Sequence, residues 1–311
     1  MKIYNVFQLF LMDRCAYCSG RTISYYQENI NKFLFYLSDE VAPGIAPHDL
    51  EFDILNRQVV LQYITWLRNR DLKNTSVNTY FRAVKAFLNY CIDEDYVSGD
   101  ILKKVKMLRS DQETIIPLYQ SEVNQIDSCF NLKTELGLRN YCIVHLMLDA
   151  GFRCSDVINL RIQDVFFDKN CLQVKGKGNK FRSVLLCPQL KKNIYKYLMN
   201  YRSFVLDDDK YSNQPVFVQA GSSEFINVNT VKQMFQRLKS RSGVERVHPH
   251  LCRHTFATSY ILGGGNMEFL RLMMGHTDYE TTKMYLHLAN QSKMLHADVY
   301  KLDSIFFKTI Y

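Results

Sequence analysis

The chain predicts a mainly α-helical protein with a small antiparallel β-sheet, arranged as an all-α first domain followed by an α+β domain that holds the sheet. Three observations carry this. Apolar residues recur at three- and four-residue spacing through most of the chain. Short strand-like patterns divided by turn residues cluster in one place, 165–186. The 311 residues are enough for two domains of about 150 residues each.

In the first domain, Tyr25, Ile30, Phe33, Leu34 and Leu37 share one face of a helix at 21–38, and the Pro- and Gly-containing stretch 42–47 breaks it. A second helix spans 53–69, with Val59, Val60, Tyr63, Ile64 and Leu67 inward. Asn74, Thr75 and Ser76 supply capping side chains for a third at 76–93, whose apolar face carries Val77, Tyr80, Val84, Phe87 and Leu88. The basic stretch 103–110, followed by Asp111, Gln112 and Glu113, marks the boundary. It reads either as a solvated connection or as a strap for a phosphate backbone. This gives domains at 1–108 and 115–311 with a linker at 109–114. Beyond it the spacing predicts helices at 120–129 and 136–149, then strands at 165–167, 172–174 and 183–186, turning at 168–170 and 176–180. Helices at 190–201, 230–240, 252–262, 267–273 and 280–288 complete the chain.

Composition narrows the function. Hydrophobic residues make up 47% of the chain, charged residues 23%, and there are only 13 Gly and 6 Pro, so it is neither collagen-like nor disordered. No apolar run approaches membrane-span length, and the first residues lack a secretory pattern, so a cytoplasmic protein is expected. Nine Cys is an odd number, and Cys15 and Cys18 form a single CxxC with no second pair, so free thiols are expected rather than a zinc site. The net charge is +8, with 14 basic against 12 acidic residues up to 110 and 25 against 19 after it. That balance fits nucleic acid or another anionic partner without establishing one.

Four islands hold groups suited to a phosphodiester. GFRCSD (151–156) puts Arg153 just beyond an apolar helix, with Asp156 three residues on to orient a guanidinium. VKGKGNKFR (174–182) surrounds a hairpin turn with cations: either a solvated turn or a phosphate-facing tip carrying Lys177. Its spacing is not that of a nucleotide-binding loop. HPHLCRHT (248–255) starts a helix at Pro249 and sets His250 and Arg253 on one face, where helix N-terminal amides also attract anions. It lacks the Glu of a zinc-binding HExxH. MGHTDYETTKMYLH (274–287) contains His276 and Tyr285; Tyr285 alone is one of 20 Tyr and reads as a packing residue.

Together, in order, these islands resemble the tyrosine recombinases of the phage-integrase type, most like compact Xer-like or mobile-element integrases. The intervals, 24 residues from Arg153 to Lys177, 23 from Arg253 to His276 and 9 from His276 to Tyr285, are similar to those of compact members. The resemblance implies that Arg153, Lys177, His250, Arg253 and His276 are catalytic, that Tyr285 is the nucleophile and that Asp156 supports from behind. Cys252 where the family has Leu, Phe152 beside Arg153 and Asp156 where Glu is common remove no reacting group.

The implied chemistry is strand transfer. Tyr285 attacks a scissile phosphate to give a 3′-phosphotyrosine and a free 5′-hydroxyl, and a partner strand reverses the step. Lys177 protonates the leaving oxygen, His250 serves proton transfer or phosphate bonding around Tyr285, His276 adds a phosphate bond, and Asp156 orients Arg153 or His250. No cofactor or metal is implied. The first domain is expected to be a helical core-binding (SAM-like) DNA-binding domain closing a two-domain clamp on duplex DNA. Lys73, Asn78, Tyr80, Arg82, Lys85 and Lys106 there, with Asn179, Lys180 and Arg182 on the hairpin, are candidate contacts. The resemblance further implies paired core sites, a homotetramer on DNA with a dimer per site, and exchange of the apolar C-terminal segment after Tyr285 between protomers. An accessory or directionality factor is compatible with it. A type IB topoisomerase-like relaxer and a non-catalytic DNA-binding relative are the alternatives.

Overall fold

The computed structural model describes residues 1–109, 115–175, 181–202, 213–219, 224–276 and 278–303. The chain divides into two compact units, Met1–Glu113 and Thr114–Tyr311. Among the described residues no helix is long and apolar enough to cross a membrane.

The first unit is all-helical: α1 (Ile3–Cys15), α2 (Gly20–Tyr36), α3 (Arg57–Arg68) and α4 (Asn74–Asp93). Helix α2 continues into a π-helical turn at Leu37–Val41. Helix α1 is absent from the sequence expectation because it is apolar nearly all round. Ile3, Val6, Phe7, Phe10 and Leu11 are buried, yet Leu9 and Met12 stand exposed and erase the period. Phe10 anchors it, edge-on to Tyr26, Phe87 and Tyr90 at 5.1, 5.6 and 5.5 Å between centroids.

Capping differs from expectation. Helix α3 starts at Arg57, with the Asn56 side chain accepting from the Val59 N–H at 3.1 Å. In α4, Asn74 lies inside the first turn, and its amide donates to the Arg109 carbonyl at 2.8 Å. Most of the basic boundary stretch belongs to this unit. The Leu108 backbone exchanges two bonds with the buried Asn78 side chain (2.8 and 2.9 Å), Arg57 Nε donates to the Lys103 carbonyl at 2.8 Å, and Val105 is buried. Residues 110–114 of the expected linker lie outside the described residues.

The second unit is α+β. Helices α5 (Gln120–Ser128), α6 (Glu135–Leu148) and α7 (Cys154–Ile158) precede an antiparallel sheet of order β1-β2-β3: Val165–Phe166, Cys171–Lys175 and Phe181–Leu185. Leu172 pairs with Val184, and both point into the core. Then come α8 (Pro188–Tyr201), α9 (Val228–Ser242), α10 (Pro249–Leu262), α11 (Met267–Met274) and α12 (Glu280–Met294). Helix α6, buried from Tyr141 through Leu148, is the hub: α8 and α10 pack on it, and α12 packs on α10.

The apolar residues after Tyr285 were expected at near-helical spacing; α12 carries helix through Met294, and the described chain beyond it leaves the helix. Val299 bridges Tyr119, the Tyr300 N–H donates to the Leu118 carbonyl at 3.0 Å, and the Tyr300 hydroxyl donates to Asp149 at 2.7 Å. Through Asp303 this segment packs on its own unit, while Ile305 and Phe306 lie outside the described residues.

Candidate active site

The site is built where α6 ends. Gly151 adopts φ +65°, and a Cβ there would meet Phe256 Cδ1 at 2.5 Å, so only glycine fits this turn. The turn delivers Arg153 to the start of α7, with its guanidinium donating to the Gly275 carbonyl at 3.2 Å. Asp156 does not orient that guanidinium directly. Its Oδ2 accepts the Arg153 backbone N–H at 2.8 Å and the Arg182 guanidinium at 2.6 Å.

Helix α10 supplies the second arginine. His248 is its cap, with Nδ1 accepting the Leu251 N–H at 3.2 Å, and Pro249 follows at the first helical position. Arg253, 5% exposed, then points inward. It donates to the Gly151 carbonyl, to the Met274 carbonyl at 2.6 Å and toward His276 Nε2 at 3.1 Å. Burial, and after it the charge of Arg153, lowers its pKa, although arginine keeps its proton at neutral pH. Two guanidinium groups held together in a desolvated pocket favour an anion between them.

The left-handed Gly275 (φ +62°) ends α11 and turns His276 inward. Because Arg253 can only donate, His276 Nε2 must accept, and its proton therefore sits on Nδ1, facing Thr282 Oγ1 at 3.0 Å. Burial, then Arg253 and Arg153, hold its pKa down to about 4, so the ring is neutral at pH 7. Tyr285 of α12 lies parallel to it, 6.2 Å between centroids at 11°. The Tyr285 ring is 2% exposed. Burial raises the phenol pKa, whereas Arg253 and Arg153 lower it. Its hydroxyl lies 3.0 Å from His254 Nδ1.

The structure thus gathers Arg153, Arg253, His276 and Tyr285 in one pocket. His250 stays exposed on the first turn of α10. Lys177, Asn179 and Lys180 lie outside the described residues. Arg182 was expected on the DNA-facing hairpin; instead its side chain is 9% exposed, bonded to Asp156 and to the Met273 carbonyl at 2.8 Å. Asn78 was expected on an exposed face, but it is buried and engaged by the Leu108 backbone, which exhausts its polar role there. Lys73, Arg82 and Lys106 are exposed, Lys85 is half-buried, and half-buried Tyr80 carries the Lys32 ammonium 4.2 Å above its ring. Sequence reasoning missed His254 and Thr282. Once Pro249 fixes the helix start, the four-residue step from His250 to His254 is the signal that was available.

Two guanidinium groups, a neutral imidazole and a buried phenol, on a mainly helical domain with a three-stranded sheet among the described residues, make a pocket suited to an anion. The phage integrase family model matches residues 117–292, and a phage integrase SAM-like domain model matches 4–107. The chain belongs to the phage integrase family, the tyrosine recombinases. It is 26% identical over 278 residues to the tyrosine recombinase XerC of Staphylococcus aureus (strain USA300), covering 88% of each chain. To a tyrosine recombinase of Thermosipho africanus it is 27% identical over 282 residues, covering 88% of this chain and 91% of that one. Its fold is similar to that of the Tn1549 transposon integrase in complex with a circular intermediate DNA (TM-score 0.73, 16% identity, 95% and 99% covered). It is also similar to a lambda integrase dimer bound to a core site (TM-score 0.68, 14% identity, 92% and 95% covered).

Proposed function

We propose that this chain is a site-specific DNA recombinase that cleaves and rejoins duplex DNA through a covalent 3′-phosphotyrosine on Tyr285. The observation that carries the reading is the phenol beside Arg253, Arg153 and His276 within one chain's own pocket. Attack forms a Tyr285 Oη–P bond and breaks the P–O5′ bond. Arg153 and Arg253 bind the nonbridging oxygens, where charge grows in the transition state, and His276, fixed by Thr282, keeps Arg253 aimed. Lys177 protonates the leaving oxygen, and the 5′-hydroxyl of a partner strand later reverses the step.

Residues 1–108 are proposed as the core-binding DNA domain and 115–311 as the catalytic domain, acting as a tetramer on paired sites in integration, excision or resolution. Docking Tyr300 onto Asp149 in cis confines any exchange of C-terminal segments to residues beyond Asp303, unless that bond is broken. Binding has to bring phosphate to a phenol that is 2% exposed, so DNA must shift the ring's cover.

The test is covalent capture on nicked duplexes with a randomised core, followed by mapping of the linked residue. Linkage through Tyr285 and strand exchange between the selected duplexes are expected. Relaxation of supercoils without exchange would favour a topoisomerase-like enzyme, and DNA binding unaltered by Tyr285→Phe with no linkage in the wild type would favour a non-catalytic relative.

A further inference from the structure

We propose that His254, rather than His250, accepts the phenol proton of Tyr285 when the tyrosine attacks phosphorus. The inference rests on the strand-transfer reading above and adds a residue to it. His254 Nδ1 is 3.0 Å from the Tyr285 hydroxyl, within the range required of a general base, and the two rings sit 5.6 Å apart between centroids.

The other imidazoles are excluded by what they already do. His276 has both nitrogens committed: Nε2 faces the donor Arg253 at 3.1 Å and Nδ1 faces Thr282 at 3.0 Å, so protonating Nε2 would set two cations against each other. His248 uses Nδ1 as the helix cap. His250 is exposed on the first turn of α10, one turn from His254 on the same face. That places it to pass a proton from His254 to water rather than to receive it from the phenol.

The charged and titratable groups facing His254 are His250, Arg253 and His248 from its own helix, Tyr285 from α12 and His276 from the loop after α11. Burial first, then His250, Arg253 and His248, hold its pKa down to about 4, so at neutral pH the ring is uncharged, and the tautomer protonated on Nε2 leaves the Nδ1 lone pair to accept from the phenol. An incoming phosphate cancels part of the positive field of Arg153 and Arg253 and makes that nitrogen more basic at the moment of attack. The step balances: the phenol O–H breaks as O–P forms, its proton goes to His254 Nδ1, P–O5′ breaks, and the leaving oxygen takes a proton from Lys177.

The test uses the full chain and the captured nicked duplexes, with and without sulfur in place of the bridging 5′-oxygen, a leaving group that needs no acid. His254→Asn keeps an acceptor near the Nδ1 position but cannot take up a proton. The variant is expected to bind DNA like the wild type yet form the Tyr285 linkage about 100-fold or more slowly. The slowing should persist on the sulfur substrate, the rate should rise steadily with pH as hydroxide substitutes, and added imidazole should restore part of the rate in His254→Ala. Nitrogen-15 shifts of labelled histidine should show Nδ1 of His254 unprotonated. A His254→Asn rate and pH profile equal to wild type, or a protonated Nδ1, would overturn the assignment while leaving strand transfer intact. Absence of any Tyr285 linkage in the wild type would instead remove the strand-transfer reading and this inference with it.

Discussion

Tyr285 is attached to the pocket through one hydroxyl bond, to His254. Tyr285→Phe should therefore cost about 1 kcal/mol of stability, the net value of one hydrogen bond, while abolishing covalent capture. Thermal melting and the nicked-duplex assay check the two halves separately. Arg253 serves three acceptors spread around its fork, which a single ammonium cannot match. Arg253→Lys should lower the single-turnover cleavage rate about 100- to 1,000-fold, the range seen on losing one preorganised donor. That the two side chains belong to motifs that meet in one pocket was legible because each motif placed a distinctive residue type at a fixed step. His254 and Arg182 were not: whether a cation on a hairpin faces solvent or folds back onto Asp156 depends on a contact 26 residues away.

At the scale of elements, the turn between α6 and α7 sets the two arginines. Gly151→Ala would force a Cβ to within 2.5 Å of Phe256 at a positive φ and displace the carbonyl that Arg253 holds. Strain and overpacking together should cost about 2–5 kcal/mol. Gly243, also at positive φ but with nothing within 4 Å of its Cβ position, is the control: Gly243→Ala should cost only about 1–2 kcal/mol. Urea midpoints of the two variants decide this. Periodicity found the amphipathic helices and the sheet, since one face of each is buried. It missed α1, whose exposed Leu9 and Met12 hide the buried stripe, and it placed the start of α3 a few residues early and that of α4 slightly late because several polar residues there compete for the cap.

At the scale of the molecule, a buried polar network ties the C-terminal segment to the hub helix. His145 bonds Asp149 at 2.7 Å and Asp127 at 2.8 Å, and Tyr300 closes onto Asp149. Burial opposes the charged ring, but the two carboxylates win and push the His145 pKa up to about 10. A raised folded pKa gives stability that is complete below the unfolded value of about 6.5 and is lost as pH climbs toward 10. His254 and His276, held at about 4, act oppositely: the unfolded chain binds more protons between about 4 and 6.5, so stability falls as pH drops through that window. Urea unfolding at pH 5, 7 and 9.5 should show a maximum near neutrality, and His145→Asn should flatten the alkaline side while costing about 3–5 kcal/mol. By itself the sequence determined the helix-rich class and the order of the four motifs, because spacing along one chain encodes faces and turns; the proposal of Tyr285 as nucleophile rests on the family resemblance that those motifs carry. Only the tertiary structure decided which groups meet: that Asp156 holds Arg182, that Asn78 is spent on the Leu108 backbone, and that the phenol rests on His254. Those pairings join residues tens of positions apart, where the energy of burial and the geometry of acceptors choose the partner and no local pattern records it.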